Sequence, residues 1–353
     1  MLGNMERSVE RDLAVPVTLA EALDPSWLQA ALAPVSGNAP VIWVGDIDNF
    51  ETVAAKVRFG VRFANDPGTV HRFCLKAMLG SDNAQMGGAT AVREAEFYAR
   101  IAPQVSLRVP RTLAVINREG SSALLIMEDL IDAGARFCSA LDPFTPALTE
   151  QSLDQIARLH AGSALLAGND WIPLRLAYLA TSPHFAAPEL QVLMDGPRCA
   201  RLNDRTSNAG LLLDGMKQLE RRFAGSPMTI LHGDCHAGNF YLTDEGPGLT
   251  DWQLIQRGNW AQDVAYHIAA VLPEEIAARE ERGLLSHYLD CVRAHGGTVP
   301  DAKQAWDDYR AAQIYGYYHW AITRWVDPQI VDIFVQRLGA GIERHDTYAL
   351  LGL

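Results

Sequence analysis

The chain has 353 residues, of which 48% are hydrophobic and 20% are charged, which is typical of a globular protein and excludes a disordered one. Its formal net charge of −12 excludes a general nucleic-acid binder, because phosphate backbones are bound by basic surfaces. Five scattered cysteines, apolar runs too short to span a bilayer and a start without an apolar signal core predict a cytoplasmic protein with reduced thiols and no membrane insertion.

The first part of the chain predicts a helix followed by strands. Residues 1–37 carry leucines at helical spacing, and residues 40–44 are apolar. Residues 52–63 alternate between apolar and polar side chains, as a half-buried strand does. A turn signal at residues 65–68 precedes a third strand at residues 71–79. We therefore predict three antiparallel strands joined by short turns.

The third of these strands carries a lysine, Lys76, between apolar neighbours. A charge in that position needs a partner, unless the lysine stem only covers apolar surface. A helix predicted at residues 89–101 offers Glu94, which shares its i, i+3, i+4, i+7 stripe with small and apolar residues. Glu96 is the alternative partner. The stripe consists of Ala91, Glu94, Ala95 and Tyr98.

Two further strands, at residues 109–116 and 122–127, complete the first domain. We place the domain boundary near Leu130. Beyond it, a helix carries His160 at a position patterned for burial, and we interpret this histidine as a core residue. The helical C-terminal region is rich in aromatic residues at positions 306–325, which either pack in the core of a helix or line an acceptor cleft.

The most informative stretch runs from residue 229 to residue 263. A short apolar strand ends in the polar loop 232–239, and a predicted hairpin follows that delivers Asp251. We expect this hairpin to bring Asp234, Asn239 and Asp251 close together. Two carboxylates and an amide provide hard oxygen ligands, which suit Mg²⁺ rather than zinc.

The loop 232–239 has the form His-Gly-Asp-x-His-x-x-Asn, and Asp251-Trp252-Gln253 stands where protein kinases carry Asp-Phe-Gly. This pattern resembles the aminoglycoside phosphotransferase-like family, closest to its ecdysteroid-kinase-like (CHK kinase-like) branch. The resemblance implies an α+β, protein-kinase-like two-lobed fold. Residues 1–130 would form a small N-terminal lobe of antiparallel sheet and helix, and residues 131–353 a larger, mainly helical C-terminal lobe.

The resemblance also implies a nucleotide site for ATP, with GTP as the alternative. Lys76, held by Glu94, would anchor the α- and β-phosphates. Backbone groups of Glu128, Asp129 and Leu130 would pair with the edge of the adenine.

For the catalytic loop, the resemblance implies that Asp234 accepts or orients the proton of an acceptor hydroxyl. Asn239 and Asp251 would hold Mg²⁺, and Asp263 would brace the loop backbone. His236 would either hydrogen-bond the phosphate or shape the loop.

The implied function is ATP- and Mg-dependent phosphorylation of a hydroxyl on a small-molecule alcohol. The segment 45–51, which we predict to cover the phosphates, has one glycine and three acids instead of several glycines. Carboxylates repel a triphosphate, so the alternative is a catalytically weak or inactive nucleotide-binding pseudoenzyme that acts as an interaction module.

Overall fold

The structure is a computed structural model that describes residues 8–51 and 54–353, without the side chains of residues 51 and 81–86. Residues 1–7 of the predicted N-terminal segment, and Thr52 and Val53 at the start of a predicted strand, lie outside the described residues. The chain divides into two units. Unit 1 comprises the described residues up to Arg136 together with Leu249–Leu254, and unit 2 comprises Phe137–Gly248 and Ile255–Leu353. The boundary that the sequence places near Leu130 stays a prediction.

The described residues before residue 136 form six strands and four helices. The strands are β1 (Val9–Arg11), β2 (Val41–Glu51), β3 (Ala55–Phe63), β4 (Asp66–Ala77), β5 (Thr112–Asn117) and β6 (Ser122–Glu128). The helices are α1 (Leu19–Ala22), α2 (Pro25–Ala31), α3 (Ala33–Ser36) and α4 (Ser81–Glu96), which continues as a π-helical turn over Phe97–Ile101.

The chain from residue 136 onward is mainly helical. Its strands are β7 (Arg136–Phe137), β8 (Thr229–Leu231), β9 (Phe240–Thr243), β10 (Gly246–Leu249) and β11 (Gln256–Gly258). Its helices are α5 (Pro146–Ala161), α6 (Arg175–Thr181), α7 (Ala187–Met194), α8 (Ala209–Phe223), α9 (Ala261–Val271), α10 (Glu274–Ala294), α11 (Ala302–Ala321), α12 (Pro328–His345) and α13 (Thr347–Leu350).

Unit 1 is built around a six-stranded sheet in the order β1-β5-β6-β4-β3-β2. Successive strands are antiparallel, except that β1 pairs with β5 in parallel. Alternation gives β3 and β4 one apolar face, on which Val57, Phe59 and Leu75 are fully buried in a core shared with residues of α2. Cross-strand partners share a face, so Lys56 of β3 and its partner Lys76 of β4 lie together on the opposite face.

The predicted loop at residues 45–51 is wrong, because these residues belong to strand β2. The pairing with β3 shifts register between Gly45 and Asp48, and Asp46 has a φ of 51°. Such a bulge lets polar residues remain in an edge strand without ending it. The turn before β4 is also shorter than predicted: it covers residues 64–65, and β4 begins at Asp66.

Unit 2 has helix α9 at its centre, in which every residue from Ala261 to Val271 is buried. Because every face of this helix packs against neighbouring residues, its side chains are held in fixed positions. Helix α11, capped by the side chain of Asp301, buries most of its aromatic residues, so the prediction of core packing is confirmed for them. Trp306 of this helix is only partly buried, and Trp325, which follows the helix, is 90% exposed.

His160 at the end of α5 is buried, as predicted, with Tyr288 and Asp263 as partners. Among the described residues, the structure contains no helix with both the length and the apolar character needed to cross a membrane.

Candidate active site

The residues predicted to act on a nucleotide fall in two groups, one in each unit. In unit 1, the Lys76 ammonium lies 2.7 Å from Oε2 and 2.9 Å from Oε1 of Glu94, and both side chains are almost fully buried. Glu96, the alternative partner, instead receives a hydrogen bond from Arg118 Nε at 2.5 Å. Helix α4 therefore turns Glu94 toward the sheet.

Asp251 joins this group within unit 1. Its Oδ1 lies 3.0 Å from Lys76 Nζ and its Oδ2 lies 3.9 Å from Lys56 Nζ. Asp251 has a φ of 64°, a left-handed conformation that aspartate tolerates better than most residues. The next residue is fixed by two contacts: the Trp252 N–H donates to Glu94 Oε1 at 3.2 Å, and the Trp252 ring stacks on Phe97 at 3.6 Å.

The carboxylates of this cluster stabilise the charged form of Lys76. Burial by itself would lower the pKa of Lys76, but the carboxylates of Glu94 and Asp251 raise it above its usual range. Lys76 is therefore an ammonium at every pH at which the protein would work. A buried ammonium with two carboxylates is costly to assemble, so the cluster is better explained by function than by stability.

Residues 128–130, whose backbone groups are predicted to pair with adenine, lie at the end of strand β6 in unit 1. Glu128 accepts from the backbone N–H and the guanidinium of Arg111. Asp129 is buried and accepts from Arg58 Nε at 2.8 Å, while its other oxygen accepts from the N–H groups of Ile131 and Asp132. The side chains of Glu128 and Asp129 are thus held and Leu130 is buried, while the pairing of this backbone with adenine stays a prediction.

In unit 2, the loop after strand β8 is held by Asp263 of helix α9. Asp263 Oδ2 accepts from the His232 N–H at 2.7 Å, and Oδ1 accepts from the Gly233 N–H at 2.9 Å. Burial would raise the pKa of Asp263, but the hydrogen bond from His160 and the nearby His232 lower it below its usual range. The ionised carboxylate thus fixes two successive backbone groups immediately before Asp234.

The carboxylate of Asp234 has donors on both oxygens. The Tyr266 hydroxyl donates to Oδ1 at 2.9 Å, and Asn239 Nδ2 donates to Oδ2 at 3.2 Å and to the Asp234 carbonyl at 2.8 Å. His236 Nε2 lies 3.5 Å from Oδ2. Because His236 Nδ1 accepts from the Gly238 N–H, the ring proton of neutral His236 is on Nε2, which faces Asp234.

These contacts keep Asp234 ionised. Burial by itself would raise the pKa of Asp234, but its interactions with His236 and with the other neighbouring histidines lower it well below its usual range. Tyr266 remains protonated, since burial and the adjacent Asp234 carboxylate raise its pKa. Asp234 is consequently a carboxylate that can accept a hydrogen bond from a hydroxyl group at any working pH.

Asn239 and Asp251 each carry side-chain oxygens, the ligand type that Mg²⁺ prefers. Asn239 turns its Nδ2 toward Asp234, so its Oδ1 lies on the other side of the amide, and Asp251 has cationic groups on both carboxylate oxygens. Mg²⁺ at nucleotide sites takes one or two carboxylates together with phosphate oxygens. No cluster of three His, Cys, Asp or Glu side chains with metal-binding geometry occurs among the described residues. The grouping of Asp251 with Asp234 and Asn239 stays a prediction.

Three residues of these clusters are not among the predicted site residues: Lys56, Tyr266 and His267. His267 Nδ1 lies 2.9 Å from the Cys235 carbonyl and Nε2 lies 2.7 Å from Ser152 Oγ, so this ring also holds the loop. The available signal for Tyr266 and His267 is their spacing of three and four residues from Asp263 on one helix. No local sequence pattern indicates a functional role for Lys56, because its contact with Asp251 depends on the register of the strands.

Comparison with known proteins places the chain among phosphotransferases. The family model described as "Phosphotransferase enzyme family" matches residues 88–311, which is more than half of the chain. No curated protein sequence matches the chain.

Several solved structures resemble the chain at low sequence identity. Choline kinase from Cryptosporidium parvum Iowa II has a TM-score of 0.50 and 10% identity, and the alignment covers 95% of this chain and 93% of that one. A microcompartment-associated aminopropanol kinase has a TM-score of 0.49 and 14% identity, covering 94% and 99%. A choline/ethanolamine kinase family protein from Mesorhizobium loti has a TM-score of 0.48 and 15% identity, covering 92% and 98%.

The similarity to choline kinase concerns the fold alone, and it confirms the predicted α+β, protein-kinase-like fold class. The family match extends from helix α4 through the catalytic loop and helix α9 into α11. It thus includes the loop whose His-Gly-Asp-x-His-x-x-Asn pattern first indicated this family. The chain therefore belongs to the phosphotransferase enzyme family.

Proposed function

We propose that the protein transfers the γ-phosphoryl group of ATP to a hydroxyl group of a small-molecule alcohol. The observation that carries this proposal is the buried Lys76 ammonium between Glu94 and Asp251 in a member of the phosphotransferase enzyme family. A hydrolase that used the same acids would have no need for this lysine and its glutamate. The five cysteines, all with free thiols, support a cytoplasmic location.

Nucleotide binding is assigned to residues of unit 1. Lys76, held by Glu94, binds oxygens of the α- and β-phosphates, and the backbone of residues 128–130 pairs with the adenine. Asn239 and Asp251 are assigned to Mg²⁺, which when bound neutralises phosphate charge. Occupation of Asp251 by a cation would release the Lys76 ammonium from one of its two carboxylates, so that it could bind phosphate.

The phosphoryl transfer itself is assigned to Asp234. Its carboxylate accepts a hydrogen bond from the acceptor hydroxyl, whose oxygen forms the new bond to the γ-phosphorus while the bond to the β-phosphate oxygen breaks. The hydroxyl proton passes to Asp234 and then to solvent, and the products are ADP and a phosphate ester. Because Asp234 has a low pKa, its main contribution is orientation of the nucleophile, and proton transfer comes late.

The test is Asp234→Asn in a screen of small alcohols for ADP formation. We expect turnover to fall by about 10²-fold or more, in line with the magnitude of general-base catalysis. Affinity for ATP with Mg²⁺, measured by calorimetry, should be retained, because the nucleotide contacts are assigned to other residues. Asp214→Asn, at an exposed ion pair with Lys217 in the same unit, is the matched control and should retain full turnover.

Unchanged turnover in Asp234→Asn would remove Asp234 from this role. The alternative function, a nucleotide-binding module without turnover, is favoured by one observation: the three residues that join β2 to β3 contain no glycine. Stabilisation of the wild type by ATP and Mg²⁺, without ADP formation on any alcohol, would favour that alternative.

A further inference from the structure

We propose that Lys56 is a second phosphate-binding lysine, which contacts the terminal phosphates of a nucleoside triphosphate. The proposal rests on the proposed function, because it assumes that Lys76 and Asp251 lie at a nucleotide site. It extends that function by naming the residue that distinguishes a triphosphate from a monophosphate.

The first argument is the register of the sheet. Lys56 on β3 and Lys76 on β4 are direct cross-strand partners, so both ammonium groups lie on the same face. Like charges in directly opposed positions are destabilising unless an anion lies between them. Here that anion is the Asp251 carboxylate, at 3.0 Å from Lys76 Nζ and 3.9 Å from Lys56 Nζ.

The second argument is the contrast between Lys56 and the other cations on this face. Lys76 contacts Glu94 as well as Asp251, and Arg58 is held by Asp129 at 2.8 Å. The Lys56 ammonium has the more distant contact with Asp251, and its side chain is 42% exposed, against 6% for Lys76. A flexible, accessible ammonium beside a buried one is suited to a ligand that carries several negative charges.

The third argument follows from the proposed cation site. If Asp251 held a divalent cation, its carboxylate would attract Lys56 less, while Lys56 would still face Lys76 across the strands. An anion supplied by the ligand then removes the repulsion between the two lysines. A triphosphate supplies more of this charge than a monophosphate does, so Lys56 would favour ATP over AMP.

The connection between β2 and β3 gives the fourth argument. In protein kinases, a glycine-rich loop covers the phosphates, and its backbone N–H groups can approach them closely. Strand β2 ends at Glu51 and β3 begins at Ala55, and the joining sequence Thr52-Val53-Ala54 lacks glycine. Lys56 is the second residue of β3, so its side chain would supply a phosphate contact close to this glycine-free sequence.

The experiment measures the dissociation constants of ATP, ADP and AMP by calorimetry, each with Mg²⁺, for the wild type and Lys56→Gln. We expect Lys56→Gln to weaken ATP binding by about tenfold or more, as the loss of a charge-assisted hydrogen bond predicts, with AMP binding unchanged. Lys56→Arg keeps the charge and should restore most of the preference for ATP.

The matched control is Lys217→Gln, which removes one positive charge from an exposed ion pair in unit 2 and should leave all three constants unchanged. An ATP-to-AMP affinity ratio in Lys56→Gln equal to that of the wild type would overturn the inference and leave the proposed function standing. A wild type that binds none of the three nucleotides would overturn both.

Discussion

At the scale of single residues, the site in unit 2 is organised by donors to one carboxylate. Asp234 receives hydrogen bonds from Tyr266 and Asn239 and lies beside His236. Tyr266 is itself fixed, since Trp320 Nε1 donates to its hydroxyl at 2.6 Å and its ring stacks on His319. This chain of donors from helix α11 fixes the orientation of the Asp234 carboxylate, as its proposed role in positioning a hydroxyl group would require.

Tyr266→Phe tests whether this chain of donors positions Asp234. Loss of one hydrogen bond to an ionised group should reduce kcat by roughly tenfold, with the KM for ATP unchanged. Because Asp234 stays ionised at any working pH, the loss should come from poorer orientation of its carboxylate and should appear in kcat across the whole working pH range.

The control for this prediction is Tyr317→Phe, another buried tyrosine, whose hydroxyl donates to the Thr206 carbonyl instead. It removes the same atom from the same unit and should leave kcat unchanged. If Tyr266→Phe and Tyr317→Phe lowered kcat equally, Tyr266 would have only a structural role.

At the scale of elements, helix α9 holds the loop 232–239 at two places. Asp263 binds the backbone N–H groups of residues 232 and 233, and His267 binds the carbonyl of Cys235. Because the carbonyl can only accept, His267 Nδ1 carries the proton of the neutral ring, and Nε2 lies 2.7 Å from Ser152 Oγ. Burial lowers the pKa of His267 to about 4, so the ring is neutral in the folded protein at pH 7.

This burial predicts a loss of stability in mild acid. The unfolded chain takes up a proton at His267 near pH 6.5, whereas the folded protein does so near pH 4. Between these values the unfolded state binds more protons than the folded state. The free energy of unfolding should therefore fall, as the pH decreases, by up to about 1.4 kcal/mol per pH unit for this residue. His319, whose pKa burial lowers to about 3, adds to the same slope.

Urea unfolding of the wild type and His267→Gln at several values between pH 4.5 and pH 8 measures this effect. His267→Gln should be less stable than the wild type at pH 8. Below pH 6.5, its free energy of unfolding should fall less steeply as the pH decreases, because the variant takes up about one proton fewer on unfolding. Parallel pH dependences for the two proteins would show that His267 does not titrate as its burial predicts.

At the scale of the whole molecule, the family match begins at residue 88, after Lys56 and Lys76. The proposed roles of these two lysines therefore depend on the sheet of unit 1 and its register, whereas Glu94 and the loop 232–239 lie inside the match.

The net charge of −12 also affects any binding experiment, because divalent cations associate diffusely with an acidic protein. Measurements with Mg²⁺ alone are needed beside those with nucleotide.

We expect ATP and Mg²⁺ together to raise the thermal stability of the chain. At a free ligand concentration of about 100 times Kd, binding to the folded state should add about 2.7 kcal/mol. Asp251→Asn should lose most of the increment that Mg²⁺ adds to ATP, because a carboxylate is replaced by a neutral and weaker metal ligand.

Differential scanning calorimetry with ATP, with Mg²⁺, with both, and with both plus EDTA separates these contributions. Asp214→Asn is the control, since it removes one negative charge at an exposed position. An Mg²⁺-dependent increment in Asp251→Asn as large as that of the wild type would contradict the assignment of Asp251 as a metal ligand.

The sequence by itself determined the fold class, the family and the positions of the principal candidate residues. These features follow from local patterns: strand alternation around Lys76, the helical stripe through Glu94, and the spacing of Asp234 and Asn239 in one loop. Such patterns can be recognised in a sequence because side-chain direction repeats every two residues in a strand and every 3.6 residues in a helix. For the same reason, the burial of Glu94 and of most aromatic residues in α11 could be predicted.

Only the tertiary structure decided how these residues pair. The choice of Glu94 over Glu96 depends on how helix α4 is rotated against the sheet, and on Arg118 as the partner of Glu96. The pairing of Lys56 with Lys76 depends on a register shift between Val61 and Phe63, and the extension of β2 through residues 45–51 depends on a bulge. A bulge or register shift changes every later pairing between two strands, and no local repeat in the sequence records it.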